Sequence, residues 1–454
     1  MDKFSGKNVS TMKSGSWSLL MRSFRALIVF DIAHQVAVAS TKYSLFPRRV
    51  QNVAIIGGGA AGLITAKVFQ QTGFNITIFE QTGYFGGVWQ YGIQSNPMYR
   101  TLRTNLPTEI MSVSYEDPFI LSKNDVARSC DNDDLTSYAS HDEVMLYLKN
   151  FADKYSLHKH VQFNSTVVKV ERSTNSWTLY HQRSPGSRDE CNGVESAIVA
   201  TEFDAVIVCN GHFSKPFIPT AVQGLAGYTG LSMHSIRYDS LKEDPSLLAG
   251  KKVLVVGGKS SATDMAREIL LSGVAAEVRI SDRNIDTSYG IMYSDGAAIS
   301  VDAAGRLPRD VHAYVFHPSI RFITEGSRTV TFADGSSADI DMILWCTGYL
   351  YDYPFLHNTQ QCGDVCIGNE KEEKEGDEED NGGAAEAVGI HLEAGKRLRG
   401  LHLKMIHQEE PTMAFIGLPF SVVPFPLFYF QARLLAALYK VLRFVYLFSK
   451  MKFG

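Results

Sequence analysis

The sequence predicts an α/β protein with two Rossmann-like dinucleotide-binding domains and a β-meander, and three observations carry that prediction. An apolar run, Val53 to Ile56, feeds Gly57-Gly58-Gly59-Ala60-Ala61-Gly62 and then a helix-like stretch, Ala60 to Gln70. The same grammar returns at Lys251 to Val256, Gly257-Gly258-Lys259-Ser260-Ser261-Ala262 and Ser260 to Leu271. Between the two motifs, Val161 to Glu171, Trp177 to Gln182 and Ala197 to Thr201 read as strands of a meander.

Taken in order, residues 1–50 form an N-terminal extension that is Ser/Thr/Lys/Arg-rich and acid-poor. Its apolar patch, Ser18 to Ala39, is broken by Arg22, Arg25, Asp31 and His34, so it lacks the roughly 20 apolar residues of a membrane span. A transit peptide, an interfacial amphipathic helix and a loosely docked extension all remain open. Residues 51–213 are expected to form the first part of one domain, 214–333 a second domain, and 334–454 the return to the first. The return is expected at the Asp334-Gly335 turn, with Thr329 to Ala333 and Ile340 to Cys346 as its two arms. An acidic insertion over 363–395, centred on Asn369 to Asp380, has no apolar periodicity and is expected to stay solvated and disordered. Pro419, Pro424 and Pro426 break the apolar stretch Phe415 to Phe430, which predicts strand, loop and then a helix from Leu427 to Phe444.

Composition narrows the function classes. At 454 residues the chain exceeds what one core usually serves. A net charge of -4 supplies no basic field for a nucleic acid. Six cysteines follow neither a disulfide framework nor a metal-site spacing, which points to a reducing, intracellular and most simply cytoplasmic setting, with organelle targeting and the endoplasmic reticulum surface left open. Arg443, Lys450 and Lys452 beside Phe444, Tyr446 and Phe448 give a weak case for membrane-surface contact.

The first motif has the context that gives it meaning, since a strand precedes it and a helix follows. Gly57 permits the tight turn, Gly59 lets the backbone approach a pyrophosphate, and Gly62 lets helix and strand pack closely. The start of the helix, at Ala60 and Ala61, presents about half a positive charge to the phosphates. Glu80, closing the next strand, is placed to accept from a ribose diol and to repel a 2′-phosphate, so FAD or NAD fits here and NADP does not. In the second motif Lys259 stands at the second glycine position and Ala262 at the third. Lys259 either crowds a pyrophosphate or lies beside it as a counter-charge. Gly257, Ser260 and Ser261 are the phosphate-facing candidates. Asp282 favours a ribose diol and Arg283 a 2′-phosphate; Arg283 with Lys259 tips the expectation to NADPH.

Further blocks resemble the flavin-containing monooxygenase family, in particular its plant S-oxygenase branch. Tyr228-Thr229-Gly230-Leu231-Ser232-Met233-His234-Ser235-Ile236-Arg237-Tyr238 is similar to the family signature FxGxxxHxxx(Y/F/W), with Tyr228 for Phe. Gly86-Gly87-Val88-Trp89, Leu102 to Pro107, Asn210-Gly211-His212 and Cys346-Thr347-Gly348-Tyr349 also look like family blocks in family order. The resemblance implies FAD on the first unit, NADPH on a smaller inserted domain, and the flavin ring in the cleft between them. It places Gly87, Val88 and Trp89 at the flavin, Thr104, Asn105 and Leu106 facing both cofactors, and Ser261, Ala262, Thr263 and Asp264 along NADPH. The implied reaction spends NADPH and O₂ to oxygenate a small soft nucleophile (a thioether, thiol or amine) through a flavin hydroperoxide. Asn105 is the catalytic candidate: an amide donates and accepts without a titratable proton, so it holds nicotinamide and oxidant without discharging the oxidant. His212 and His234 are read as satisfied structural histidines. Tyr238, where Baeyer-Villiger enzymes carry Trp, favours heteroatom oxygenation. A Baeyer-Villiger monooxygenase and a non-catalytic flavin/NADP-binding redox-responsive protein are the competing readings.

Overall fold

A computed structural model describes residues 50–92, 97–120, 137–174, 176–183, 197–239, 245–283, 314–356, 368–369, 390–393 and 395–451. The N-terminal extension therefore lies outside the described residues, apart from Val50, which is buried.

The apolar runs become parallel strands covered on both faces, as such runs do. Strand β1 (Asn52–Ile56) leads through the glycine turn into helix α1 (Ala60–Gln71) and strand β2 (Asn75–Phe79), which pairs with β1 in parallel. Helix α2 (His141–Lys154) opens on a capping box, in which Ser140 and Glu143 each satisfy the other's backbone N–H. The expected strand from Val161 is split: β3 (Val161–Gln162) joins β2, and the meander starts at β4 (Ser165–Arg172), followed by β5 (Trp177–Arg183) and β6 (Ile198–Phe203). Strand β7 (Ala205–Val208) then pairs with the other side of β1.

Beyond β8 (Lys215–Pro216) the chain builds a second parallel sheet from β9 (Leu231–His234), β10 (Lys252–Val256), β11 (Glu277–Ser281) and β12 (Val315–His317), with helix α3 (Ser260–Ser272) after β10. Strands β13 (Ile320–Ile323), β14 (Thr329–Phe332) and β15 (Ser337–Asp339) form an antiparallel trio, with Asp334-Gly335 turning β14 into β15. The expected return to the first domain at residue 334 is corrected here. Residues Met342–Trp345 form β16, which lies between β10 and β9 at the heart of the second sheet. All four are fully buried, and a run with two apolar faces suits a central parallel strand better than a hairpin arm.

The chain recrosses at β17 (Tyr349–Leu350), which pairs antiparallel with β8. Within the expected acidic insertion, β18 (Gly368–Asn369) pairs with β19 (His391–Glu393), which pairs with β20 (Arg397–Leu398); residues 370–389 lie outside the described residues. Strands β21 (Leu401–His402), β22 (Ile406–His407) and β23 (Met413–Phe415) complete the first sheet, ordered β21-β22-β23-β7-β1-β2-β3. Helix α4 (Pro424–Met451) starts three residues before the expected Leu427. Both prolines sit in its first turn, where a backbone N–H has no helical partner to lose. Among the described residues no helix is long and apolar enough to cross a membrane.

One charged cluster locks the helices of the first domain. The fully buried Lys67 of α1 lies 3.3 Å from Asp117, with the rings of Tyr155 and Tyr429 each 5.0 Å from its ammonium. Asp117 also accepts from Lys154 at 2.7 Å, Tyr155 at 2.6 Å and Ser114 at 3.0 Å. Burial pushes the Asp117 carboxyl up, but the bonds from Lys154 and Tyr155 and the charge of Lys67 outweigh it and hold the group below its ordinary value. Asp117→Ala leaves the buried Lys67 ammonium with only the longer, half-exposed carboxylate contact to Glu116 at 3.5 Å, and a loss of about 3 kcal/mol is expected in denaturant unfolding. As pH falls the unfolded chain takes this proton first, so the contribution is complete above pH 3.8 and disappears as pH drops through the folded value. The substituted protein should lack that part of the acid limb. Equal unfolding midpoints for the two proteins would refute the assignment.

Candidate functional site

The two glycine turns are built alike. Gly57 has φ +107°, and a Cβ there would lie 2.5 Å from the Cys209 carbonyl oxygen at the end of β7. Gly257 has φ +140°, and a Cβ there would strike the carbonyl oxygen of Cys346 at the end of β16. Each turn thus seats on the third strand of its unit with no room for a side chain. At Gly62 a Cβ would run into the Gly57 carbonyl, whereas the second unit accommodates the methyl of Ala262, which is buried in the core of that domain.

The first-turn N–H groups of both helices have no side-chain cap, and neither first turn carries an acidic residue. Groups of that kind suit a diphosphate, so the residues present fit the dinucleotides that the motifs imply. Around Gly59 the cradle is all backbone: Gly86 donates to the Gly58 carbonyl at 3.1 Å, and a Cβ on Gly59 would lie 3.5 Å from Cα of Gly87. Val88 and Trp89 follow in one 3₁₀ turn, with Trp89 set edge-on to Phe425 at 6.5 Å.

Buried Glu80 accepts from the Gly58 N–H at 2.7 Å through one oxygen, and from the Thr82 N–H and hydroxyl, both at 2.8 Å, through the other. It fixes the turn itself, leaving one acceptor site, on the oxygen that faces Gly58, for a ribose. Asp282 is its counterpart, since a Cβ on Gly258 would land on the Asp282 carboxylate. Arg283 follows, exposed. Ser260, Ser261, Thr263 and Asp264 are exposed on the first turns of α3.

A strap runs from one unit to the other. Tyr99 is buried in the second domain's core, and its hydroxyl donates to Asp264 at 3.2 Å. Thr101 donates to Glu268 at 2.7 Å, and the Arg100 N–H to Asp239 at 3.1 Å. Five residues beyond Tyr99, buried Thr104 is bonded to Ala139 in both directions, through its N–H at 2.8 Å and its hydroxyl at 3.0 Å. Asn105 comes next, exposed and with no hydrogen bond among the described residues, and Leu106 packs on the first core. Local sequence signals gave no hint of the Tyr99, Thr101 and Asp239 contacts, because each joins residues more than a hundred positions apart.

His234 is bonded on both nitrogens: Nδ1 accepts from the Ile236 N–H at 3.1 Å, and Nε2 donates to the Gly348 carbonyl at 2.9 Å. His212 stands among Phe213, Tyr351 and Phe420, and burial pushes its pKa down to about 4. Burial pushes the thiols of Cys209 and Cys346 up to about 12, so neither is a thiolate at neutral pH. Phe420, which the sequence did not single out, completes this aromatic wall and receives the Lys259 ammonium 4.2 Å from its ring centroid.

Residues 50–301 match the flavin-binding monooxygenase-like family model. The chain is 30% identical over 415 residues to Flavin-containing monooxygenase FMO GS-OX-like 4 of Arabidopsis thaliana, covering 87% of this chain and 77% of the relative. It is 31% identical to FMO GS-OX5 of the same plant, covering 85% and 73%. Among solved structures, S-allyl-L-cysteine S-oxygenase from Allium sativum aligns with TM-score 0.63 and 27% identity, over 85% of this chain and 76% of that one. With both nucleotide units and the signature segment in place, the chain belongs to the flavin-binding monooxygenase-like family, whose cofactors are FAD and NADPH.

Proposed function

We propose that the protein is an NADPH- and O₂-dependent monooxygenase that places one oxygen atom on the sulfur of a small thioether or thiol. The balanced reaction joins NADPH, a proton, O₂ and R₂S to give NADP⁺, water and R₂S=O. The strap Tyr99 to Leu106 supports this reading, because it ties the two nucleotide units together and carries an exposed amide, Asn105, that has no hydrogen bond among the described residues. Sulfur rather than nitrogen is supported by the plant relatives, one of which is an S-oxygenase of S-allyl-L-cysteine. FAD, when bound, supplies the activation of O₂ with electrons from the nicotinamide.

The protein's own part is to bind, orient and exclude. Gly57, Gly59, Ala60, Ala61 and Gly62 hold the FAD diphosphate, and Glu80 its ribose. Gly87, Val88, Trp89, Thr104 and Leu106 wall the flavin side. Gly257, Ser260, Ser261, Ala262, Thr263, Asp264 and Arg283 serve NADPH. Asn105 holds the reacting groups with hydrogen bonds and carries no proton to give away at neutral pH.

Purified protein given FAD should turn yellow and convert a model thioether to its sulfoxide at close to one per NADPH. NADPH oxidation that yields only H₂O₂ with every thioether and amine tried would refute the oxygenase reading. Gly62→Ala drives a methyl into the Gly57 carbonyl, so that variant should purify without flavin absorbance. A fully yellow Gly62→Ala protein would remove FAD from the first unit. Asn105→Ala should keep its flavin and its NADPH oxidation, while the ratio of H₂O₂ to sulfoxide formed rises about tenfold, a change equivalent to one buried hydrogen bond. Unchanged coupling would take Asn105 out of the mechanism.

A further inference from the structure

Lys259 occupies, at the start of α3, the place that Gly59 occupies at the start of α1. The substitution changes what the turn offers, from backbone alone to a mobile cation. The lysine backbone is extended, with φ -113° and ψ -177°, and the side chain is exposed. Among the described residues its ammonium forms no ion pair, and it rests on the face of Phe420 at 4.2 Å. Phe420 belongs to the first domain, on the loop between β23 and α4, and is 55% exposed.

The carboxylate nearest this turn, Asp282, lies against Gly258 and forms no ion pair with the lysine among the described residues. The start of a 13-residue helix is already positive, and α3 has no acidic residue in its first turn and no side-chain cap. Lysine and helix end therefore add their potentials at one spot, beside the exposed hydroxyls of Ser260 and Ser261. A half-exposed cation–π contact offsets little of that repulsion, whereas an anion at the helix start satisfies both groups together. Resting on the proposal that this unit takes NADPH, we infer that Lys259 is a diphosphate-binding residue of the second unit, parked on Phe420 until the dinucleotide arrives. Its ammonium replaces the close backbone approach that the second glycine provides in the first unit. Binding at the second unit then breaks one contact between the two domains.

The inference is tested by titrating FAD-loaded protein with NADP⁺ and reading the dissociation constant from quenching of intrinsic fluorescence. Lys259→Met should weaken NADP⁺ binding about tenfold, the worth of one charge-assisted hydrogen bond, and Lys259→Arg should restore most of it. Phe420→Leu removes the competing rest position and should tighten binding about two- to fivefold. In the double variant Lys259→Met/Phe420→Leu that gain should vanish, because no ammonium remains to be released. Wild-type affinity in Lys259→Met, or the same gain from Phe420→Leu with and without the lysine, would overturn the role of Lys259 while leaving the NADPH reading intact. An FAD-loaded wild type with no response to NADP⁺ would overturn that reading and this inference together.

Discussion

A reaction divided between two cofactors needs its two binding units held in one orientation, and a short backbone pairing sets that orientation. Strand β8 carries the chain out of the first domain and β17 carries it back, paired antiparallel through Tyr349 with Pro216 and Leu350 with Lys215. The Phe217 N–H donates to the Gly348 carbonyl at 2.9 Å, and the Asn210 amide to the Asp352 carbonyl at 3.0 Å, so the ribbon is pinned beyond its own ladder. His234, in the signature segment, closes on the same Gly348 carbonyl. His234 is in this way one fastening of a hinge. The strap at Tyr99 and Thr101 is a second, separate tie, and two ties restrict rotation about an axis that one alone would leave free.

The two units repeat one turn geometry and differ at two positions of it. In both, a positive-φ glycine presses on a cysteine carbonyl at the end of the third strand, and an acid at the end of the second strand lies against the next residue of the turn. Constraints of that sort come from backbone packing and cannot be relaxed without moving a strand. Gly59 and Gly62 of the first unit became Lys259 and Ala262 in the second. An all-glycine cradle presents fixed donors and suits a ligand that stays. A turn that relies on a lysine and serine hydroxyls uses groups with rotamers to lose, so it binds with a larger ordering cost. That asymmetry matches one resident and one exchanging dinucleotide.

Much of this was legible in the sequence because it is local. Val53 to Ile56 and Lys251 to Val256 are apolar runs of strand length, and each glycine turn is a contiguous motif whose φ values follow from residue type. The missed features are those in which a distant partner decides. The Asp334-Gly335 turn does make a hairpin, but with Ser337–Asp339, and Met342–Trp345 goes on to fill the gap between β10 and β9. Only the absence of any polar residue in that run hinted at a strand covered on both faces. Pro424 and Pro426 were read as helix breakers although the first turn is where proline costs least. The partnership of Lys259 with Phe420 spans 161 positions and leaves no local trace.

Burial sets the charge state of two histidines and two thiols near the points where the chain crosses between the domains. His212 keeps a neutral imidazole because its aromatic surroundings disfavour the charged form, and burial likewise pushes His234 down against a smaller opposing pull from the Gly348 carbonyl. Near neutral pH neither is an imidazolium with a proton to deliver, and the two buried thiols stay protonated and weakly nucleophilic. An electrophilic oxidant waiting for its substrate is lost in two ways, by early proton delivery and by attack from the protein's own nucleophiles. Burial suppresses both routes at these groups. Burial therefore restrains the chemistry of these four groups, while the charged pair Lys215 and Asp352 sits at the exposed edge of the ribbon.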